Sequence, residues 1–377
     1  MERPDGETPF IITNRSRQDG GLSLEAMFGK MSPSRFQSIL IEMAQRVVEK
    51  ESVGNLLQNY EENRFTKPCS LPQREIINLE DILYQGIPQN YEDVELSPIA
   101  PLGTNSLLTG VSQRTVLSTV RNTEVVADPT TILVMECLKR LREENKNEFV
   151  IDLCTSARCT RAQMFSKGSG FVPHFKLFAL TSGSFTRGET MRSKIIEHLS
   201  FYLDFLDRIK INGKYSVNNI TVQISNINIM EKLIRTKNLD RLELGKHSQD
   251  NKFDPFLNYN ISLPSNVSNL DELENLAIKE YQLERYTREL SDLSEQVKRI
   301  EETFPEVKIR YDLARIAGIG YYNGVCLKIT AENSRGEKYP LVDGGYSDWL
   351  TKLTTNQRAA FCSSGFGLEL FGNLFKT

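Results

Sequence analysis

Two β-rich parts of this chain are separated by a polar and helical block. Strand-like alternation is present at 219–226, before the block, and at 306–314, after it. Because apolar strand faces need partners, the two parts must pair across the block. The sequence therefore predicts one discontinuous α+β domain, formed by residues 31–232 and 306–377, with a mostly helical insertion at 233–305.

Three further segments have clear patterns. Residues 1–30 are polar and rich in Gly, Asp and Arg, which predicts an arm outside the domain. Residues 32–50 start with a capping Ser32 and Pro33 and predict a helix with one buried face. Residues 270–304 place apolar side chains at heptad spacing and predict a long helix. Its stripe is expected to be covered within the same chain, the alternative being an intermolecular coiled coil.

The composition excludes several classes of protein. Hydrophobic residues make up 39%, charged residues 25%, and the net charge is -3, which excludes collagen-like, membrane-spanning and strongly disordered chains. No basic excess indicates a nucleic-acid partner. The start MERPDGETPF lacks the apolar core of a signal peptide, so we expect a cytoplasmic protein without a membrane partner. Cys154 and Cys159 lack zinc-site spacing, and no metal site is predicted.

A strand-loop-strand segment at 161–178 carries basic side chains on two predicted strands. Arg161, Lys167 and His174 suit the oxygens of a phosphate or another anion. Gln163 can read an amino group through its amide, and Phe178 can stack on a base. The segment predicts an anion site that faces the phosphates of a nucleotide, or another anion in their place.

This segment resembles the second motif of class II aminoacyl-tRNA synthetases. That motif begins with Arg-x-Glu and continues with a loop. After the loop comes an Arg or His, which is followed four positions later by Phe. Gln163 replaces the Glu. Further segments resemble histidyl-tRNA synthetase in particular, in the order of that family. They are the first motif at 91–98, the Arg-Pro-Glu-Gly-Thr segment at 128–131, the tyrosine segment at 311–329, the Gly-Gly segment at 343–350 and the last motif at 365–371.

The resemblance implies a mostly antiparallel class II sheet flanked by helices, in a homodimer, with ATP and magnesium as ligands of the ancestral site. The nucleotide-binding residues that it implies are Arg161, Gln163, Lys167, His174, Phe178 and Glu369. The amino-acid pocket that it implies contains Glu124, Asp128, Thr130, Tyr321, Tyr322, Gly344 and Gly345. In the hydroxyl-rich stretch 96–131, Glu124 or Asp128 can meet a cationic ligand, the alternative being capped turns without a ligand.

The departures from the family fall on charged groups. Three positions that hold arginine in the family are occupied here by Ala317, Tyr346 and Leu370. The position of the family's aspartate is occupied by Gly320, and Asp128 replaces the arginine that precedes the proline. Losing one preorganised donor commonly costs ~10²–10³ in rate, so the sequence predicts that adenylation is lost.

One arginine close to these positions can still compensate. Arg315 precedes Ala317 by two residues and can reach inward in place of the lost guanidinium. The chain also ends at Thr377, shortly after the last motif, so no anticodon-binding domain and no tRNA charging are expected.

Three functions remain open at this point. The first is a pseudo-synthetase that binds an amino acid or nucleotide and regulates or scaffolds a separate catalytic protein, as the resembling regulatory subunit of ATP phosphoribosyltransferase does. The second is an active ATP-dependent ligase that adenylates another small carboxylate. The third is a structural dimer with a relic pocket.

Overall fold

A nine-stranded sheet forms the centre of the molecule in the computed structural model, which describes residues 31–144, 149–164, 172–211, 213–247, 250, 253–268 and 278–377. The strand order is β1-β4-β5-β11-β10-β9-β6-β8-β7, and neighbours are antiparallel except for β1 with β4 and β6 with β8. The strands are β1 Tyr91–Asp93, β4 Ile151–Thr160, β5 His174–Ser184, β6 Asn218–Asn226, β7 Asn266–Val267, β8 Lys308–Asp312, β9 Val325–Glu332, β10 Lys338–Ser347 and β11 Ala360–Gly367. A small side sheet pairs β2 Ile99–Pro101 with β3 Thr123–Val125.

The two β-rich parts pair across the intervening block. Strand β6 lies between β8 and β9 and pairs with both, so residues on either side of the block share one sheet. The short β7 from within the block adds to the edge by pairing with β8. The predicted α+β class, with a mostly antiparallel sheet flanked by helices, is confirmed.

Helices cover both faces of the sheet. On one face, α3 Gln73–Gln85, α6 Glu189–Ile211 and α14 Leu368–Leu374 bury an aromatic cluster that includes Phe178 and Phe366. The opposite face carries α4 Thr104–Thr109, α5 Thr130–Glu144 and α13 Trp349–Thr354, which enclose a smaller apolar cluster. This second face is the one on which the predicted tyrosine segment lies, because Tyr321 packs against that cluster.

The block between β6 and β8 contains short helices. They are α7 Ile227–Thr236, α8 Arg241–Lys246, α9 Pro255–Asn258, α10 Ile278–Tyr281, α11 Glu284–Ser291 and α12 Ser294–Thr303. The prediction of one continuous helix is wrong across the described part, since Gln282 adopts a positive φ of 56° and interrupts it. The heptad residues Leu283, Leu290 and Val297 are nevertheless buried within this chain, as expected, whereas Leu276 lies outside the described residues.

Two N-terminal helices leave their apolar side chains in solvent. Helix α1 Pro33–Val48 forms as predicted, with the Ser32 hydroxyl accepting from the amide of Arg35, and α2 Val53–Glu62 follows it. Neither helix has a buried residue, so the predicted buried face of α1 is wrong for the isolated chain. The exposed apolar side chains are Met43, Val47, Val48, Val53, Leu56, Leu57 and Tyr60. Across the described ranges, no helix combines the length and apolarity needed to cross a bilayer.

Candidate functional site

A polar cluster connects the tyrosine segment to the start of α5. The Tyr321 hydroxyl donates to Asp128 Oδ2 at 2.8 Å and lies 3.1 Å from the Thr130 hydroxyl. The other Asp128 oxygen accepts from the amide and the hydroxyl of Thr130, at 3.0 and 2.7 Å. Burial, with the Asp128 carboxylate close by, holds the pKa of Tyr321 well above its ordinary value, so the phenol is a neutral donor. The structure thus brings Asp128, Thr130 and Tyr321 together.

Arg161 reaches the same cluster from the end of β4. Its Nε donates to the Ala127 carbonyl at 3.0 Å, and its Nη2 lies 3.6 Å from Asp128 Oδ2. The guanidinium also covers the ring of Phe175, with 5.2 Å from Cζ to the ring centroid. The side chain keeps 35% of its surface accessible. Asp128 and a main-chain carbonyl therefore already compensate much of the charge that was predicted to hold a phosphate.

Tyr322 lies between two glycines. A Cβ on Gly318 would stand 2.5 Å from Tyr322 Cδ2, and one on Gly345 would stand 2.8 Å from Tyr322 Cδ1. Gly318 also has φ +93°, which other residues rarely adopt. Gly344 has a different neighbour, since its Cβ would meet Ser364 Cβ at 2.6 Å. The glycines of the two matched segments thus make room for one ring and for close strand packing.

Arg315 forms the second buried ion pair beside the tyrosines. It donates to both oxygens of Asp343, at 2.7 and 2.9 Å, and through Nε to the Ala317 carbonyl at 2.9 Å. Its Cζ lies 5.6 Å from the centroid of Tyr322. Its side chain is 4% exposed. The possible compensating arginine therefore does reach inward, but its Nη2 binds a carboxylate of the chain itself.

His174 lies on the other face of the sheet from Arg161. Its Nε2 lies 2.6 Å from the Lys67 carbonyl and its Nδ1 lies 3.1 Å from Arg158 Nη1. Arg158 in turn donates to Glu369 at 2.5 Å, and Glu369 is 2% exposed. Arg158 thus connects His174 and Glu369, two predicted nucleotide ligands, in a hydrogen-bond network on the face of the sheet opposite Arg161. The sequence analysis did not identify Arg158.

Phe178 is also directed away from Arg161. Alternation along β5 places it on the face of His174, where it contacts Tyr84 and Phe201 at centroid distances of 5.5 and 5.7 Å. It is fully buried and offers no ring face to a base. Phe175, three residues earlier, occupies the face of Arg161 instead. The spacing of the motif alone could not reveal this difference, because the strand register decides which face each residue occupies.

The remaining predicted nucleotide residues contribute little to the described site. The side chain of Gln163 is exposed, and its main-chain carbonyl accepts from Arg64 at 2.8 Å. Lys167 lies outside the described residues. Taken together, Arg161, His174 and Glu369 all have partners within the chain, His174 lies on the opposite face of the sheet from Arg161, and Leu370 lacks charge. These residues therefore do not fit a magnesium-bound triphosphate as they stand.

Glu124 is part of a loop network. It is 1% exposed and accepts from the amides of Gly103 and Asn105 and from the side chain of Gln113, each at 2.8 Å. These bonds cap the start of α4 and tie β3 to the preceding turn. The arrangement matches the capped turns that were the alternative to a cation site, and it separates Glu124 from the Asp128 cluster.

A polar cavity of about 400 Å³ opens beside Tyr322. Its walls come from α7, α8 and α11 of the insertion and from the tyrosine segment, with Asp348 at one end. The lining residues are Asn228, Glu231, Lys232, Arg235, Arg241, Arg285, Tyr286, Gly320, Tyr322, Asn323 and Asp348. Sequence reasoning missed its four cations, although Asn228, Glu231, Lys232 and Arg235 follow the i, i+3, i+4, i+7 spacing of one helix face.

Comparison with known families supports this description. Residues 214–371 match the family model described as histidyl-tRNA synthetase, a range that includes the tyrosine segment and the cavity. No curated protein matches the chain in sequence.

Many solved structures are similar in fold. A structure from Bacillus halodurans, titled as an ATP phosphoribosyltransferase regulatory subunit/histidyl-tRNA synthetase, has a TM-score of 0.61 and 17% identity, covering 82% of each chain. Histidyl-tRNA synthetase from Nostoc sp. has a TM-score of 0.60 and 13% identity, covering 82% of this chain and 73% of that one.

A third is a histidine–tRNA ligase subunit from Alicyclobacillus acidocaldarius, with a TM-score of 0.58 and 14% identity, covering 81% of this chain and 95% of that one. At these identities the likeness establishes the fold alone. The match of residues 214–371 to the family model and the likeness in fold are both consistent with a class II core of the histidyl-tRNA-synthetase type.

Proposed function

We propose that this protein is a catalytically degenerate relative of histidyl-tRNA synthetase that binds a small molecule, an amino acid or a nucleotide, and acts as a regulatory or scaffolding subunit. The observation that carries the proposal is the pairing of Arg161 with Asp128. Its guanidinium is bound by the Ala127 carbonyl and lies 3.6 Å from Asp128, at the position where the family motif provides a phosphate ligand.

Adenylation requires several positive charges around the phosphates of ATP. A substrate carboxylate attacks the α-phosphate, negative charge develops there, and pyrophosphate leaves, so several preorganised cations must face the phosphates. Here Leu370 and Ala317 carry no charge, and Arg315 is bound to Asp343. Each missing donor commonly costs ~10²–10³ in rate, so their combined loss accounts for a protein that binds without activating a carboxylate.

A partner surface supports the regulatory part of the proposal. Val53 is 91% exposed and Leu57 is 63% exposed on α2, and α1, the preceding helix, also exposes apolar side chains. Exposed apolar surface of this kind commonly marks a protein interface. The similar structure from Bacillus halodurans is titled in part as a regulatory subunit, which is consistent with a core of this type working beside another protein.

The catalytic part is tested by ATP/pyrophosphate exchange. The purified protein is incubated with ATP, magnesium, labelled pyrophosphate and each amino acid in turn, with a histidyl-tRNA synthetase as the positive control. We expect no label in ATP above the blank for any amino acid. Exchange that depends on one amino acid would instead establish the alternative, an active ligase, which the four cations of the cavity favour.

The assembly part is tested by light scattering after gel filtration. We expect the wild type to form a dimer or larger assembly and the double variant Val53→Glu/Leu57→Glu to have a lower mass, because charged side chains disfavour an apolar interface. Gln58→Glu/Asn59→Glu, on the same helix, is the matched control, because it adds the same two charges without removing an apolar side chain. A wild type that is monomeric, alone and with a candidate catalytic partner, would contradict the proposal.

A further inference from the structure

The cavity beside Tyr322 has more positive than negative charge available. Arg241 is neutralised by Glu231, which accepts from its two terminal nitrogens at 2.7 and 2.6 Å. Asp348, the other acid in the lining, lies 2.9 Å from Lys352 and is compensated there. The two acids of the cavity are therefore already paired, and they leave the remaining cations without carboxylates from the lining.

Those remaining cations have weak partners or none. Within the described part of the chain, Lys232 donates only to the amide oxygen of Gln282, at 3.4 Å. Among the described residues, Arg235 has no carboxylate within ion-pair distance. Arg285 lies 3.5 Å from Glu289, but its side chain is 79% exposed and such a pair contributes little. Like charges that line one cavity repel each other, so an anion bound there lowers the electrostatic energy.

One wall lacks a negative charge that the family pattern has. The aspartate of that pattern falls on Gly320, which has φ +82°, and Arg241 Nη2, paired with Glu231, lies 3.3 Å from where a Cβ on Gly320 would be. The paired guanidinium adds little net charge, but the carboxylate of the family pattern is missing. Its loss disfavours a ligand with a cationic group at this wall.

The shape of the cavity suits an anion with an organic body. Tyr322 and Tyr286 line the cavity beside Asn228 and Asn323, whose amides are bonded to each other at 3.1 Å. A volume of about 400 Å³ is within the range of small-molecule sites and far exceeds the space of a bare phosphate ion.

We propose that this cavity binds a phosphate monoester, with the phosphate between Lys232 and Arg235 and the carbon body against Tyr322. Ammonium and guanidinium groups form charge-assisted hydrogen bonds with phosphate oxygens, and no other cation of the lining is as free of acids as these two. The inference rests on the proposed function, since it names the chemical class of the ligand that a regulatory core of this type would sense.

Calorimetric titration of the full chain tests this inference. The probes are inorganic phosphate and ribose 5-phosphate, with ribose as the uncharged control and malonate as a dianion without phosphorus. We expect saturable binding of ribose 5-phosphate, weaker binding of phosphate, and no binding of ribose. Lys232→Ala/Arg235→Ala should bind ribose 5-phosphate about 10- to 100-fold more weakly, because two charge-assisted bonds are lost.

Lys298→Ala/Arg299→Ala is the matched control, because it removes the same two charges from an exposed face of α12 outside the cavity. This control should bind like the wild type. The inference is overturned by absence of saturable binding, by equal binding of malonate, or by equal losses in both double variants. These titrations need no partner and no ATP, so their failure is distinct from failure of the exchange or assembly experiments.

Discussion

Arg315 donates hydrogen bonds of 2.7 and 2.9 Å to the two oxygens of Asp343, and the pair lies against the ring of Tyr322. An arginine close to the site is thereby held by a carboxylate of the chain itself. The pair stabilises the fold. It also occupies a guanidinium that could otherwise bind a phosphate group.

Asp343→Asn should destabilise the fold by about 2 kcal/mol, because it leaves a buried guanidinium without its counter-charge. The value is below that of a fully buried pair, since the Asp343 side chain is 45% exposed. Urea unfolding measures the loss. Glu295→Gln, which breaks an exposed pair with Arg299, is the matched control and should change the free energy of unfolding much less. Equal losses would contradict the prediction.

Gly345→Ala should disturb the position of Tyr322. The new Cβ would stand 2.6 Å from Cys326 Cβ and 2.8 Å from Tyr322 Cδ1, so strand or ring must shift, at a cost of roughly 1–3 kcal/mol. Thermal unfolding reports the loss. Gly188→Ala is the control, because nothing lies within 4 Å of its Cβ position. An unchanged melting temperature in Gly345→Ala would show that the ring does not occupy this position.

Tyr321→Phe should cost about 1–2 kcal/mol, because Asp128 loses a buried donor. The only tryptophan of the chain, Trp349, packs on Tyr321 with ring centroids 4.8 Å apart, so its fluorescence reports local changes. We expect a changed emission spectrum in Tyr321→Phe. Tyr60→Phe, on the exposed face of α2, should change neither stability nor emission. Identical behaviour of the two variants would argue against the Tyr321–Asp128 bond.

His198 should make the fold sensitive to acid. Burial, with Lys194 close by, lowers the pKa of His198 to about 3, whereas an unfolded histidine has a pKa of about 6.5. Because the folded pKa is depressed, the stabilisation is present above the unfolded value and is lost as the pH falls from about 6.5 towards 3. The free energy of unfolding should fall by up to about 1.4 kcal/mol per pH unit in this window.

His198→Gln removes this proton-binding difference. The variant should therefore show a shallower decline between these pH values, even if it is less stable at neutral pH through loss of the bond to Ser364. His247→Gln, on the surface, is the control and should keep the wild-type slope. Equal slopes in all three proteins would contradict the prediction.

Several elements could be read directly from the sequence. The helix at Pro33–Val48, the strand at Asn218–Asn226 and the pairing of that strand with residues beyond the helical block follow local capping and alternation. Such patterns are set within a few residues and depend little on the rest of the fold. The tyrosines and the two glycines of the Gly-Gly segment were identified instead through the resemblance of their segments to histidyl-tRNA synthetase.

Other predictions failed because they depend on register and on distant neighbours. His174 and Phe178 match a motif by spacing, but strand pairing places them on the face opposite Arg161. Leu283 and Leu293 lie on a heptad stripe, yet the helix is interrupted near both of them. The resulting short helices α11 and α12 contact β6 and α6. Sequence spacing cannot distinguish these outcomes, because it carries no information on what lies opposite.

The sequence by itself determined the fold class, the order of the motifs and the loss of the family's arginines, since these depend on which residues are present and how they are spaced. Only the tertiary structure decided which of the remaining charges are free. Arg161 and Arg315 are paired with Asp128 and Asp343, residues far from them along the chain. Lys232 and Arg235 instead line a cavity in which both carboxylates are already paired with other cations. Electrostatic interactions depend on distance in space and on burial, and both are set only when the chain has folded.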